Sequence, residues 1–132
     1  MNDGKTVHPD DLRPRTKAFA LRIITLYTSL PETEEARVLG KQVLRSGTSV
    51  GANYCEAFRA RSKQEFAAKA VDCLRELDKS AYWLELLVES GLVPAQQLGE
   101  LQAECNQLSA ILATKAKETK AAIERESGAK DE

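Results

Sequence analysis

The side chains able to do chemistry are few, and they are scattered. Glu56, Glu76 and Glu104 fall in three different apolar-periodic segments. A carboxylate metal site in a helical bundle needs Glu-x-x-His pairs on two helices. The chain has one histidine, His8, and no such pair. The three carboxylates therefore read as solvated or ion-paired groups, and no metal or other cofactor is expected. His8 sits in a polar stretch without the convergent partners that a base requires. Gly47-Thr-Ser-Val-Gly51 shares only glycines with a phosphate-binding loop: it lacks the lysine and the G-x-x-x-x-G-K-[ST] spacing, and it opens no helix. Ser46, Thr48 and Ser49 have no nearby histidine to activate them. Cys55, Cys73 and Cys105 form no C-x-x-C. Their odd count and wide spacing, with no signal peptide, read as reduced thiols of a cytoplasmic protein. Each lies at or beside an apolar helical position, where cysteine serves as a small buried hydrophobe. Nothing here assembles a catalytic constellation, and the chain is not expected to be an enzyme.

The elements that must carry these residues are helical. In 132 residues, hydrophobic types make up 42%, enough for one domain with one core. Leu and Ala dominate, and β-branched runs are absent. The N-terminal residues are polar, and no apolar run approaches the roughly 20 residues of a membrane span. Residues 1–11 read as a mobile arm, 12–124 as a four-helix bundle and 125–132 as a frayed tail. The first helix is expected from about Arg15 to Leu30, on the stripe Phe19, Ile23, Leu26 and Leu30. Pro31 ends it, and Thr33 caps the second, ahead of Glu34 and Glu35.

The second helix, expected over about Glu34 to Ala60, organises the rest. Ala36, Gly40, Val43, Gly47, Val50, Tyr54 and Ala57 alternate four and three apart, a heptad seam that crosses two glycines without a slip. Gly40, Gly47 and Gly51 share one narrow strip. Together they forfeit about 3 kcal/mol of helix propensity relative to alanine. A strip without Cβ atoms admits a closely approaching backbone. The partner is either another helix of the same subunit or a second subunit. The opposite strip, Lys41, Arg45, Ser49, Ala52, Glu56 and Arg59, is polar and reads most simply as a solvated face.

Ser62-Lys-Gln-Glu65 is a capping box directly before Phe66, so a third helix starts there. Its seam is read as Phe66, Ala70, Cys73, Leu77, Ala81, Leu84 and Val88. Tyr82, Trp83, Leu86 and Leu87 point away from that seam and predict an aromatic patch. Gly91 stops this helix, and Pro94 opens the fourth, which runs on Leu98, Leu101, Cys105, Leu108 and Leu112. Short turns make neighbouring helices antiparallel, so the fold expected is an all-α, up-down four-helix bundle.

Charge is unevenly shared. Residues 1–62 carry ten Lys/Arg against seven Asp/Glu, for +3, and residues 63–132 nine against thirteen, for −4. Any basic surface must come from the first two helices. The cations that would form it are Arg37, Lys41, Arg45, Arg59, Arg61 and Lys63. The candidate subunit interface is Gly40, Gly47 and Gly51 against Tyr82, Trp83 and Leu86, because one small bundle has too few helices to cover both patches.

Three stretches, RSGTSVGANYCEA, SKQEF and LRELDKSAYWLELLVESGLV, resemble the bacterial four-helix-bundle family of 23S rRNA intervening-sequence proteins. The accessory variability proteins of diversity-generating retroelements are similar. The resemblance runs from about Phe19 to Lys120. It implies a ring-like homopentamer of up-down bundles. Some members are encoded inside ribosomal RNA insertions, and some bind nucleic acid and a reverse transcriptase. Two functions are expected from these readings. One, implied by the resemblance, is a non-enzymatic oligomeric scaffold that touches RNA or an RNA-associated protein, with Arg37, Lys41, Arg45, Arg59, Arg61 and Lys63 as the candidate RNA contacts. The alternative is a monomeric four-helix module with a groove for a small ligand or peptide.

Overall fold

Heptad spacing and helix-end chemistry divide the chain into four helices: α1 (Arg13–Ser29), α2 (Glu34–Phe58), α3 (Lys63–Glu89) and α4 (Ala95–Asp131). The computed structural model describes residues 11–131, the last three as backbone only. No strand occurs among them. Residues 1–10 of the expected arm, with His8, lie outside the described residues, as does residue 132.

Each helix boundary has a local cause. At α1, the Asp11 carboxylate accepts a hydrogen bond from the Arg13 backbone N–H and three more from its guanidinium. An acid there suits the positive helix end. Asp11, expected in the arm, is thus tied to the bundle. The Thr33 hydroxyl accepts from the Ala36 N–H and starts α2. Ser62 Oγ accepts from the Glu65 N–H and starts α3. The return half of the capping box is displaced by one residue: Glu65 accepts from the Arg61 N–H. Gly91, at φ +82°, turns the chain out of α3, a conformation that glycine adopts without a Cβ penalty. Pro94 precedes α4, and its carbonyl accepts from the Gln97 N–H. The fourth helix does not end at residue 124; it runs to Asp131. Beyond Lys115 its inner face continues as buried Ala116 and half-buried Thr119 and Ile123, and Lys63 of α3 reaches Glu126 at 2.6 Å.

The helices pack in cyclic order, α1 on α2, α2 on α3, α3 on α4, with a sparse α4–α1 contact closing the circle. In the contacts of α2 with α3 and of α3 with α4, a higher position in one helix meets a lower position in the other. Ser46 meets Ser80 and Val50 meets Cys73; Leu77 meets Cys105 and Lys63 meets Glu126. The α1–α4 seam is held by Arg15, which donates to both Glu104 oxygens at 2.7 and 2.9 Å. This hydrogen-bonded pair holds the Glu104 carboxyl below its usual range. Its stabilisation, below about 1 kcal/mol for a pair this wet, is present above the unfolded carboxylate pKa and is lost as pH falls through the depressed folded value.

All seven predicted α2 seam residues are buried. Gly40 and Gly47 face α1 of the same chain. A Cβ on Gly47 would stand 2.7 Å from Ile23 Cγ1 and 3.0 Å from Cγ2; one on Gly40 would meet Leu30 and Tyr27. These two glycines therefore serve a crossing inside the subunit, and their place in the candidate subunit interface is corrected accordingly. In α3 the seam also differs from the predicted one. Ser80 and Leu87 are fully buried, while Ala81 and Val88 are only half-buried. Leu87 thus belongs to the core and not to the outward patch. Ser80 is tolerated there because its hydroxyl shares a 2.8 Å hydrogen bond with Ser46.

Two predictions follow from this packing. Gly47→Ala drives a methyl into fully buried, β-branched Ile23. It should destabilise by about 1–2 kcal/mol after the propensity gain is offset. Gly51→Ala meets only ordinary contacts at 3.4 Å and beyond, so it should be neutral or stabilising by up to about 1 kcal/mol. Urea denaturation of both variants checks the contrast, and equal shifts would contradict it. The thiols give the second prediction. Burial pushes Cys73 up to about 12 and Cys105 up to about 11. Both should stay unmodified by iodoacetamide at pH 8 in the folded protein, and both should react in urea, as read by mass spectrometry.

Candidate nucleic-acid interface

With α1 against one flank of α2 and α3 against the other, a single outer strip of α2 remains in solvent. Lys41, Arg45, Ala52, Glu56 and Arg59 lie along it, all exposed. From Lys41 to Arg59 the strip is about 27 Å long at 1.5 Å per residue. The six predicted RNA contacts are not equivalent on this surface. Arg37 pairs with Glu34 at 3.2 Å and Lys63 with Glu126 at 2.6 Å, so their charges are already answered. No ion pair among the described residues uses Lys41, Arg45, Arg59 or Arg61. The one acid on the strip, Glu56, is held by Lys69 of α3 at 2.6 Å, and this hydrogen bond raises the Lys69 pKa. The strip thus presents unanswered positive charge, with Arg61 beside its end in the turn before α3.

Between this strip and α3 runs a groove of about 470 Å³. Gln42, Arg45 and Ser49 line it from α2, and Glu76, Lys79 and Trp83 from α3. Trp83 is half-buried and turned into this groove, whereas Tyr82 beside it is 53% exposed on the outer face. The two rings meet edge to face at 5.2 Å. The predicted aromatic patch is therefore divided. Tyr82 and half-buried Leu86 stay on the outside of α3, and Trp83 joins the basic strip. Sequence reasoning missed Gln42 and Lys79. Their signal was the spacing of Gln42, Arg45 and Ser49, and of Glu76, Lys79 and Trp83, at three and four residues.

A second groove, of about 600 Å³, opens between α1 and α2 near the start of the bundle. Thr16, Ala20, Gly51, Ala52 and Cys55 are among its walls. Gly51, unlike the other two glycines of its strip, is partly open to this groove. Arg13 stands 3.5 Å from the centre of the exposed Phe58 ring and clamps the start of α1 to the end of α2. Among the described residues no cluster of three His, Cys, Asp or Glu is placed to hold a metal ion, and no helix is long and apolar enough to cross a membrane.

The comparisons with known proteins agree with this architecture. A crystal structure from Bacteroides thetaiotaomicron, described as a protein with unknown function from the S23 ribosomal protein family, is 34% identical in sequence. It matches with a TM-score of 0.75 over 80% of this chain and 95% of that one. No curated protein matches the chain. The profile of the 23S rRNA-intervening sequence proteins matches residues 11–114, a span that holds α1 to α3, both grooves and the basic strip. By that match, over most of its length, the chain belongs to the 23S rRNA-intervening sequence protein family.

Proposed function

We propose that the protein is a non-enzymatic, cytoplasmic scaffold subunit that engages RNA or an RNA-associated protein through the outer strip of α2. The observation that carries this reading is the row of Lys41, Arg45 and Arg59, exposed and without acidic partners among the described residues. Among the described residues Arg13, Arg15, Arg37, Lys63, Lys69 and Lys79 each pair with an acid. Phosphate contacts by such side chains supply sequence-independent affinity.

One strip is a small charge for a nucleic-acid binder. Assembly multiplies it. The opposed residue order of packed helix pairs supports an antiparallel up-down bundle, and we propose that such bundles join head to tail in a ring. A ring needs two different patches on each subunit. The α1–α2 groove, with Gly51 on its wall, and the outer face of α3, with Tyr82 and Leu86, supply an apolar pair. Five subunits is the number implied by the family resemblance. Repeating the strip around a ring raises its avidity for one long strand. The α1–α2 groove also favours the alternative reading, a monomeric module that holds a small ligand or peptide there.

Light scattering on a size-exclusion column separates these readings: the scaffold elutes at several times the 14.5 kDa chain mass, the module at that mass even at micromolar concentration. For the strip, Lys41→Glu with Arg59→Glu should weaken binding of single-stranded RNA. Removing two phosphate contacts should also flatten the salt dependence by about two units of slope. Unchanged affinity and slope in a folded double variant would reject the strip as the RNA surface.

A further inference from the structure

The α2–α3 groove has features that a plain basic strip does not need. Its volume of about 470 Å³ falls within the range of small-ligand pockets, roughly 300–1,000 Å³. Its unused hydrogen-bonding groups are mainly donors. Among the described residues, neither the Trp83 indole N–H, the Gln42 amide nor the Arg45 guanidinium has a partner. Lys79 and Glu76 answer each other at 3.4 Å, so Arg45 is the surplus charge. The Ser49 hydroxyl donates to the Arg45 carbonyl at 2.7 Å and keeps lone pairs to accept with. Beneath the groove the buried Ser46–Ser80 hydrogen bond is self-contained and makes no demand on a ligand. A flat ring edged with acceptors, next to one negative charge, matches this set of groups.

We infer that the groove holds one unstacked nucleotide of a single nucleic-acid strand. The base lies against the Trp83 indole, its polar edge meets Gln42, and the adjoining phosphate takes the Arg45 fork. Stacking on an aromatic face tolerates any base, and a guanidinium matches phosphate geometry in two parallel hydrogen bonds. A duplex keeps its bases stacked and reaches the strip alone, so the groove prefers a single strand. The inference rests on RNA binding by the α2 strip and gives that strip a polarity: backbone along Lys41 and Arg59, one base turned inward between them.

Trp83 is the only tryptophan in the chain, so its emission reports on this groove alone. The experiment titrates the full chain with a fluorescein-labelled single-stranded RNA decamer and follows both label anisotropy and tryptophan emission. The same strand annealed to its complement and a poly-glutamate peptide serve as comparisons. The expected result is saturable quenching of Trp83 in step with the anisotropy, and weaker quenching by the duplex. Arg45→Ala, on the exposed strip, should weaken decamer binding about ten-fold, the size of one stacked or forked contact. Trp83→Leu should do the same, while Trp83→Phe, which keeps a flat ring, restores affinity to within a few-fold. Decamer binding without quenching, and with Trp83→Leu equal to wild type, overturns the groove and leaves the strip standing. Absence of any anisotropy change at low salt overturns both. Equal quenching by poly-glutamate overturns the base-binding reading, since a groove that answers to charge alone recognises no ring.

Discussion

The approach of α1 to α2 at Gly47 governs what the rest of the surface can be. Ile23 is fully buried and fills the volume that any side chain at position 47 would occupy. The forfeited helix propensity, about 1 kcal/mol at one glycine, is offset by burying a large branched side chain, worth roughly 1.5–3 kcal/mol. Because α1 settles on this flank and α3 on the other, α2 has core contacts on two sides and one strip in solvent. The seven-residue seam of α2 is thus consumed inside the subunit. What it leaves outside is a charged row with few acids, bordered by one polar groove and one apolar groove.

Charge availability, more than charge number, distinguishes this strip. Of 19 Lys and Arg in the chain, many sit opposite an acid. Arg15 is spent on the α1–α4 seam with Glu104, Lys63 on tying α3 to the far end of α4, and Lys69 on cancelling Glu56. Such exposed pairs add little stability, about 0–1 kcal/mol each, yet they decide which cations remain free to meet phosphate. The chain as a whole is near neutral, at −1. The half-buried Trp83 indole lies beside that row.

Much of the fold was legible because its signals are local. The heptad seam of α2, the Thr33 and Ser62 caps and the Gly91 turn each depend on residues within a few positions. The errors arose where the deciding partner lies far away in sequence. The α3 reading passed over Ser80 for apolar Ala81 and so inserted a stutter into the seam. The actual order, Ala70, Cys73, Leu77, Ser80, Leu84 and Leu87, keeps a strict three–four alternation. The polar residue fits because Ser46, 34 positions earlier, completes its hydrogen bond. The same limit applied to the glycines, since nothing near Gly47 says that Ile23 will face it. Among the six predicted RNA contacts, the pairing of Lys63 with Glu126 was visible only in space. Trp83 was noticed as an unusual residue, but its groove needed the α2 wall to become visible.

The central claim is that nucleic acid lies along the outer strip of α2 and its border with α3. Ultraviolet crosslinking of a single-stranded RNA to the wild-type protein, mapped by peptide mass spectrometry, tests it directly. Crosslinks confined to residues 38–63 and 76–86, with Trp83 among them, are the predicted result. Crosslinks concentrated on the outer face of α4 instead, with these two segments unmodified, would contradict it.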